Sequence, residues 1–322
     1  MIDFIKIKTH KKFEKSCLDT FSTQYKNNKI LRQYTDLTKR NPRPTALSEL
    51  TFLPIDFFKS KEVKTDDFTP EAVFSSSSTS GFGVSKHFVK DLSLYETSFT
   101  KGFDLFYGDV SKYLILALLP SYLERSGSSL IYMAKNFISK SKYKESGFFL
   151  DDYKALHKKL NWAENNNIPT LLLGVTYALL DFSTTFPQKL NNSFVMETGG
   201  MKGRKKEMTR PDVHQILKNN FGLNNIHSEY GMTELLSQAY SNGGGIFECP
   251  PWMNVLIRDP SDPFHLLENG KTGGVNIIDL ANQNSCSFIA TQDLGKKISE
   301  TQFEVLGRFD NSDVRGCNLL AV

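Results

Sequence analysis

The chain has 322 residues, with 39 Lys and Arg, 35 Asp and Glu, and a net charge of +4. A charge this small does not indicate nucleic-acid binding, and 39% hydrophobic and 12% aromatic residues exclude a disordered chain. The widely spaced cysteines argue against a zinc knuckle or a disulfide framework and indicate a reducing compartment: Cys17, Cys249, Cys286 and Cys317. No signal peptide and no apolar run of the ~20 residues of a membrane helix is evident, so we expect a cytoplasmic chain without a membrane span.

The hydrophobic pattern predicts an amphipathic helix over residues 1–41, which a Pro-rich stretch ends at 41–44. Further helices are predicted at 91–107, 130–137, 153–165 and 211–219, and buried strands at 113–119, 170–174 and 193–198. Short β segments follow at 252–258, 274–279, 287–291 and 302–306. This order predicts an α/β protein with a helical segment (1–45), an α/β body (46–242) and a β-rich subdomain (243–322).

Residues 75–86, SSSSTSGFGVSK, have two interpretations. Such a run is typical of a flexible linker. Alternatively, hydroxyl and backbone N–H groups of a glycine-permitted turn surround phosphate groups, and Lys86 neutralises their charge. The position between the apolar residues 73–74 and a predicted helix favours a phosphate loop, although GxxxxGK[ST] is absent.

A second chemically equipped segment, SEYGMTEL, occupies residues 228–235. Tyr230 offers a ring for stacking on a base, Thr233 a hydroxyl for a phosphate, and Glu234 a hard oxygen ligand for Mg²⁺. Further along the chain, Asp293 in TQD is suited to binding ribose hydroxyls. Arg308 in GRFD is suited to binding the ribose together with Asp293. Taken singly, these last two motifs are more typical of surface turns.

Together and in this order, the segments resemble the motifs of the adenylate-forming superfamily, which includes acyl-CoA synthetases and peptide-synthetase adenylation domains. Residues 76–81 match its [TS]SGTTG loop except at Ser78 and Ser80, and YGxTE is intact at 230–234. TQD resembles its TGD motif, and GRFD is similar to its GRxxD hinge with one residue fewer. Within the superfamily the chain looks like a LuxE-like acyl-protein synthetase, a relative of phenylacetate–CoA ligases, because of four further segments: LPIDFFK at 53–59, SKH at 85–87, ETGGMKGR at 197–204 and RGC at 315–317.

The resemblance implies the α/β fold of an adenylate-forming N-terminal domain, with layered α/β subdomains and a small β-rich subdomain. It implies that ATP and Mg²⁺ activate a carboxylic acid, a fatty acid in this group, as an acyl-adenylate. The acyl group is then held on a cysteine and passed to an acyl-accepting protein or carrier.

The resemblance also implies roles for individual residues. The β- and γ-phosphates would be held by four residues of the serine-rich loop, Ser77, Thr79, Ser80 and Gly81. Lys86 would lie near them. The adenine and acyl pocket would be lined by Gly199 and Gly200, where glycine permits close approach to the backbone. Tyr230 and Gly231 would contact adenine, and Thr233 would contact the α-phosphate. Glu234 would bind Mg²⁺, and Asp293 and Arg308 would bind the ribose.

Two departures from the superfamily affect these expectations. Only 12 residues follow Asp310, so we expect the C-terminal domain, with its catalytic lysine, to be largely missing. Lys86, Lys202 and Arg204 are candidates to supply its positive charge. Ser78 tolerates positive φ less readily than glycine, so weaker ATP binding is expected.

Cys317 and His87 each have two interpretations. Cys317 is either a small buried residue on the last strand or the acyl-accepting thiol, with its pKa lowered by Arg315. His87 is either structural or in contact with phosphate or the acyl carboxylate.

Two other functions stay open from the sequence. One is an acyl- or aryl-CoA ligase. The other is a non-catalytic partner protein that binds a nucleotide or an acyl carrier.

Overall fold

The computed structural model describes residues 2–76, 83–119, 127–199 and 208–309. Its α-helices are α1 (His10–Asn27), α2 (Lys29–Leu37), α3 (Phe57–Ser60), α4 (Leu92–Tyr107), α5 (Ser129–Lys140), α6 (Tyr153–Asn165), α7 (Thr176–Thr185) and α8 (Arg210–Phe221). Its strands are β1 (Leu53–Pro54), β2 (Ala72–Ser75), β3 (Lys86–Val89), β4 (Leu114–Leu118), β5 (Gly147–Phe148), β6 (Thr170–Val175), β7 (Ser193–Thr198), β8 (His227–Tyr230), β9 (Ala239–Ser241), β10 (Ile246–Glu248), β11 (Met253–Arg258), β12 (Thr272–Asp279), β13 (Phe288–Lys297) and β14 (Gln302–Arg308).

One mixed sheet runs through the part of the chain that the structure describes. Its order is β11-β12-β13-β14-β10-β9-β8-β7-β6-β4-β5, and β1 pairs with β13. The strands from β5 to β8 are parallel, whereas β8 and β9 pair antiparallel, as do the strands from β9 to β11. The sheet therefore changes from parallel to antiparallel at β8.

The parallel strands form the centre of the core. Every residue of β4 and β6 is buried, as the uninterrupted apolar runs predict, because helices cover such strands on both faces. Helices α5 and α7 pack on β4 and β6. Each leucine buried there stabilises the fold by roughly 2 kcal/mol relative to an exposed side chain.

The prediction of a single helix over residues 1–41 was wrong, because Asn28 separates α1 from α2. Its Oδ1 accepts hydrogen bonds from the N–H groups of Ile30 and Leu31, both at 3.0 Å. Its Nδ2 donates to the carbonyl of Ser285 at 3.0 Å. Asparagine is a strong N-cap residue, and here it caps α2 while tying the N-terminal helices to the β-rich half of the chain.

Two further local differences concern apolar segments. The sequence predicted no strand between the serine-rich loop and the helix at 91–107, but β3 lies there and pairs antiparallel with β2. Helix α7 was not predicted. It begins directly after β6, and its first five residues are all buried, so they show no periodic pattern that would distinguish them from a continuation of the strand.

The α/β class is confirmed, and the short β segments predicted after residue 243 are present as β11 to β14. The predicted division at residue 242 falls between β9 and β10, which are neighbours in the sheet. None of the described helices combines the length and apolarity needed to cross a bilayer.

Candidate active site

The carboxyl ends of β7 and β8 lie side by side where the sheet changes direction. The register pairs Thr198 with Glu229, and Tyr230 at the end of β8 pairs with Ala239 of the antiparallel β9. In open α/β sheets, ligands bind outside the carboxyl ends of the strands, where the topology switches. This edge of the sheet is therefore the candidate active site.

Tyr230 is anchored at the centre of this edge. Its hydroxyl donates to Asp293 Oδ2 at 2.7 Å, and its ring contacts Phe303 and Phe247 with centroid distances of 5.3 and 5.7 Å. Burial and the adjacent Asp293 carboxylate raise the pKa of the Tyr230 hydroxyl well above its usual range. Only 8% of the residue is exposed, so these contacts hold the ring in one position.

Asp293 and Arg308 meet because β13 and β14 place them directly opposite each other. Arg308 Nε lies 3.3 Å from Asp293 Oδ1, and the arginine side chain is 68% exposed whereas the aspartate is 8% exposed. Burial raises the pKa of Asp293, although the hydrogen bond from Tyr230 and the charge of Arg308 oppose the shift. The structure thus joins three residues predicted for the nucleotide: a buried acceptor, a phenol and an exposed cation.

Thr233 and Glu234 follow β8 in a turn that is held from within the protein. The Thr233 carbonyl lies 2.8 Å from His87 Nδ1, and the Glu234 carbonyl accepts a hydrogen bond of 2.8 Å from Asn282 Nδ2. Burial raises the pKa of the Glu234 carboxyl, while its hydrogen bond with Ser85 opposes this. Glu234 therefore lies against Ser85, at the amino end of β3.

His87 lies behind this turn. Its Nε2 is 3.1 Å from Asn282 Oδ1, its ring packs edge-on against Phe58, and only 1% of the residue is exposed. Burial lowers the pKa of His87 to about 4, although both of its hydrogen bonds favour the protonated ring. These contacts favour positioning of the Thr233 turn over direct contact with a phosphate or a carboxylate.

The two ends of the serine-rich segment, at β2 and β3, are bonded to each other. Ser76 N–H donates to the Ser85 carbonyl at 3.1 Å, and Ser85 N–H donates to Ser76 Oγ at 3.0 Å. Lys86 pairs with Ser75 and is exposed. The predicted phosphate-binding residues lie outside the described residues: Ser77, Thr79, Ser80 and Gly81.

Gly199 ends β7 with a φ of 71°, a left-handed conformation that favours glycine. Its carbonyl accepts a hydrogen bond of 2.9 Å from Thr176 Oγ1. Gly200 and the two cations of the same segment, Lys202 and Arg204, lie outside the described residues.

A buried ion pair beside Gly199 was missed from the sequence. Glu197 is 4% exposed and its Oε1 lies 3.2 Å from Arg210 Nε, while Arg210 also donates to the Val305 carbonyl at 2.9 Å. Burial opposes ionisation of Glu197, but the hydrogen bond with His214 and the charge of Arg210 outweigh it and lower its pKa. Arg210 therefore connects the end of β7 to β14. Nothing in the local pattern identifies a partner 13 residues away.

A second buried carboxyl, Glu229, adjoins it. Thr198 Oγ1 donates to Glu229 Oε2, and burial together with the charge of Glu197 raises the pKa of Glu229 to about 7. A Cβ at Gly231 would collide with the Glu229 carboxylate, which explains the glycine in YGMTE. The signal available in the sequence was a glutamate at the carboxyl end of each of two neighbouring strands.

The segment LPIDFFK packs next to these residues. Leu53 pairs with Ile289 of β13, and Gln292 Nε2 donates to Asp56 Oδ2 at 2.7 Å. Lys59, which was not a predicted site residue, bonds to Asp56 at 2.7 Å and is close enough for its charge to act on Glu234.

Three of the four cysteines are described, and all are free and buried: Cys17, Cys249 and Cys286. Burial raises the pKa of the Cys249 and Cys286 thiols to about 12, and that of Cys17 further. At neutral pH these thiols are protonated and so are poor nucleophiles. Cys317 lies outside the described residues.

A family model described as "Acyl-protein synthetase, LuxE" matches residues 104–321. The chain belongs to the LuxE acyl-protein synthetase family. The family membership confirms the resemblance to LuxE-like acyl-protein synthetases that the motifs indicated. The structure confirms the expected α/β fold of adenylate-forming ligases. A comparison with curated proteins finds no match.

The solved structures that the LuxE-family chain resembles are adenylate-forming ligases. ATP-bound MatB from Rhodopseudomonas palustris superposes with a TM-score of 0.57 at 15% identity, over 76% of this chain and 49% of that chain. 2-Hydroxyisobutyryl-CoA ligase with 2-HIB-AMP gives a TM-score of 0.66 at 10% identity, over 93% and 68%. In complex with 2-HIB-AMP and CoA, that ligase gives 0.67 at 11% identity, over 95% and 70%. The chain thus spans about half the length of MatB and about two thirds of the CoA ligase.

Proposed function

We propose that the chain uses ATP to activate a carboxylic acid of the fatty-acid class as an acyl-adenylate and transfers the acyl group to a protein thiol. The observation that supports this most directly is the contact of Tyr230, Asp293 and Arg308 at the carboxyl end of β8. The three residues come from separate motifs of a LuxE-family chain, yet Tyr230 and Arg308 both contact the carboxylate of Asp293.

In the first step, a carboxylate oxygen of the substrate attacks the α-phosphorus of ATP. The bond from that phosphorus to the bridging oxygen breaks, and pyrophosphate leaves with the electron pair. Cations and hydroxyl donors stabilise the charge that develops on the phosphoryl oxygens. We assign this role to Thr233 and Lys86, with Lys59 as a further cation near Glu234.

For the nucleotide, we propose that Asp293 accepts hydrogen bonds from the ribose hydroxyls and that Arg308 closes over them. The exposed guanidinium is able to reach a ligand, while the buried carboxylate stays in place because Tyr230 holds its other oxygen. Gly199 and Gly200 would allow the adenine and the acyl group to approach the end of β7.

Mg²⁺ fits this site as an ion shared between the protein and the phosphates. Among the described residues there is no group of three or more His, Cys, Asp and Glu side chains able to hold a metal. Mg²⁺ commonly takes only one or two carboxylates and completes its shell with water and substrate phosphates. Glu234 is the carboxylate that would hold it, and the bound ion would neutralise phosphate charge.

In the second step, a thiolate attacks the acyl carbonyl carbon, the bond to the phosphate oxygen breaks, and AMP leaves. We propose Cys317 as this thiol and a partner or carrier protein as the final acceptor. The three other cysteines support the choice, because burial keeps their thiols protonated.

Two measurements test the proposal: ATP–pyrophosphate exchange, and the intact mass of the full chain after incubation with ATP, Mg²⁺ and a panel of carboxylic acids. We expect exchange with at least one acid and an added acyl mass that Cys317→Ala removes and Cys17→Ala retains. Asp293→Asn should raise the KM for ATP about tenfold, the worth of one hydrogen bond to a charged group, whereas the exposed Asp151→Asn should not change it.

Other outcomes select other functions. Exchange without an adduct, but with formation of a thioester on added CoA, identifies an acyl-CoA ligase. Absence of exchange with every acid, together with intact nucleotide binding, identifies the non-catalytic binding protein.

A further inference from the structure

A cavity of about 240 Å³ is lined in part by residues 291–292 of β13, which precede Asp293 of the candidate active site. Its walls are largely apolar and come from α2, from residues 48–56 and from the loop after β11, with Tyr34, Phe52, Phe264 and Leu266 among them. The volume is slightly below the 300–1,000 Å³ of ordinary ligand pockets. It is therefore suited to a small molecule.

Arg258, the last residue of β11, lines this cavity. Its guanidinium donates to the carbonyls of Val275 and Thr291 at 2.9 and 2.5 Å and to Asn276 Oδ1 at 2.8 Å. A Cβ at position 274 would lie 2.5 Å from the guanidinium carbon, so Gly274 makes room for the side chain. The arginine is thus held in one place by two backbone carbonyls and one side-chain amide oxygen of the strands β12 and β13.

No carboxylate contacts Arg258. None of the ion pairs found among residues 2–76, 83–119, 127–199 and 208–309 involves it. Asp56, which also lines the cavity, is bonded to Lys59 and Gln292. The charge of Asp293 acts on Arg258 from a distance, but that carboxylate is already bonded to Tyr230 and Arg308. The three acceptors that contact Arg258 are neutral, and a partly buried cation in such surroundings is more stable with a further anion beside it.

The cavity is also linked to the active site. Arg258 bonds the carbonyl of Thr291, two residues before Asp293 on β13. Phe309, which follows Arg308, places its ring 5.6 Å from the Arg258 guanidinium and donates its N–H to the Gln292 carbonyl at 2.8 Å. A molecule against Arg258 would therefore lie next to both strands that carry the proposed ribose-binding pair.

We propose that this cavity is a second small-molecule site that binds an organic carboxylate, with the anionic group on Arg258 and a small apolar body against Phe264, Phe52 and Leu266. The positive charge of the guanidinium favours a ligand with an anionic group, and the apolar walls favour a ligand with an apolar body. The site is separate from the acyl-adenylate centre and does not depend on the proposed function.

The experiment is a ¹⁹F NMR titration of the full chain with 4-fluorobenzoate, with 4-fluorobenzamide as the uncharged probe of the same shape. Arg258→Met removes the cation, and Leu266→Trp fills the cavity while leaving Arg258 and its three bonds in place. Arg32→Met, which removes an exposed arginine from α2, is the matched control. Circular dichroism verifies that each variant folds.

We expect saturable binding of 4-fluorobenzoate that Arg258→Met weakens about ten- to a hundredfold, the range for one charge-assisted contact. Leu266→Trp should abolish binding, Arg32→Met should leave it unchanged, and ATP should not displace the probe. Equal binding of the benzamide, or displacement by ATP, would overturn the proposal. Unchanged binding in Leu266→Trp would also overturn it. If inorganic phosphate displaced the probe as effectively as benzoate, the apolar walls would contribute nothing to binding, and the proposed selectivity for an organic carboxylate would be wrong.

Discussion

Replacing Glu229 with glutamine should make the protein more stable at alkaline pH. Glu229 is buried beside the ionised Glu197 and accepts a hydrogen bond from Thr198. The other groups near its carboxyl are the hydroxyls of Tyr95 and Tyr240. An ionised Glu229 therefore meets one negative charge and no cation among its described neighbours, whereas glutamine keeps the shape without the charge.

The expected size follows from the shift in pKa. The pKa of Glu229 rises from 4.5 to about 7, because of burial first and Glu197 second. Below pH 4.5 the side chain is protonated in both the folded and the unfolded states. Between pH 4.5 and 7 the unfolded chain loses the proton that the folded chain retains, so stability falls as pH rises, by about 1.4 kcal/mol per pH unit. The total loss is about 3 kcal/mol, complete above pH 7.

The assay is urea unfolding followed by tryptophan fluorescence, with Trp252 buried, at pH 5 and pH 8.5. Glu229→Gln should match the wild type within about 1 kcal/mol at pH 5 and exceed it by up to about 3 kcal/mol at pH 8.5. Glu268→Gln, at an exposed position, is the control and should follow the wild type at both values. The same pH dependence in Glu229→Gln and the wild type would refute the reasoning.

Three further predictions concern the same region. His87 has a pKa lowered to about 4, so its own contribution to stability should fall by about 3 kcal/mol as pH drops from 6.5 to 4, because the unfolded chain takes up a proton first. This opposes the contribution of Glu229, so the measurement is the difference between the two proteins: the wild type should lose about 3 kcal/mol relative to His87→Gln over this range, and a constant difference would argue against a neutral buried ring. Gly231→Ala should cost roughly 1–3 kcal/mol in urea unfolding because its Cβ meets a carboxylate, whereas Gly147→Ala, with open space around it, should cost little; equal costs would contradict this. Arg210→Met removes the arginine beside the buried Glu197, whose remaining contacts include His214 and Thr176, and should destabilise the protein by about 3 kcal/mol, the lower end of the range for a broken buried pair; Arg210→Lys should recover part of that stability if charge is the reason.

Much of the fold could be predicted from local pattern. Thr170–Val175 is a strand because a continuous apolar run bounded by polar turns fits a sheet covered on both faces, and Ser193–Thr198 carries a shorter apolar run of three residues at its centre. Tyr153–Asn165 is a helix because its apolar residues recur at helical spacing. The break at Asn28 and the helix α7 were not predicted. A cap interrupts a helix without changing the spacing of its apolar residues, and the first five residues of α7 are all buried and so show no spacing pattern.

For the site, the motifs supplied the residue types but not their contacts. That Tyr230 bonds Asp293, 63 residues later, depends on β13 and β14 returning to the edge of the parallel strands. Tertiary packing also produces three other features: the Glu197–Arg210 pair, the raised pKa of Glu229 and the cavity at Arg258. Each depends on burial or on contacts between elements that are distant along the chain. Local sequence determines which side chains are available; tertiary packing decides which charges are desolvated and what lies next to them, because both depend on neighbours distant along the chain.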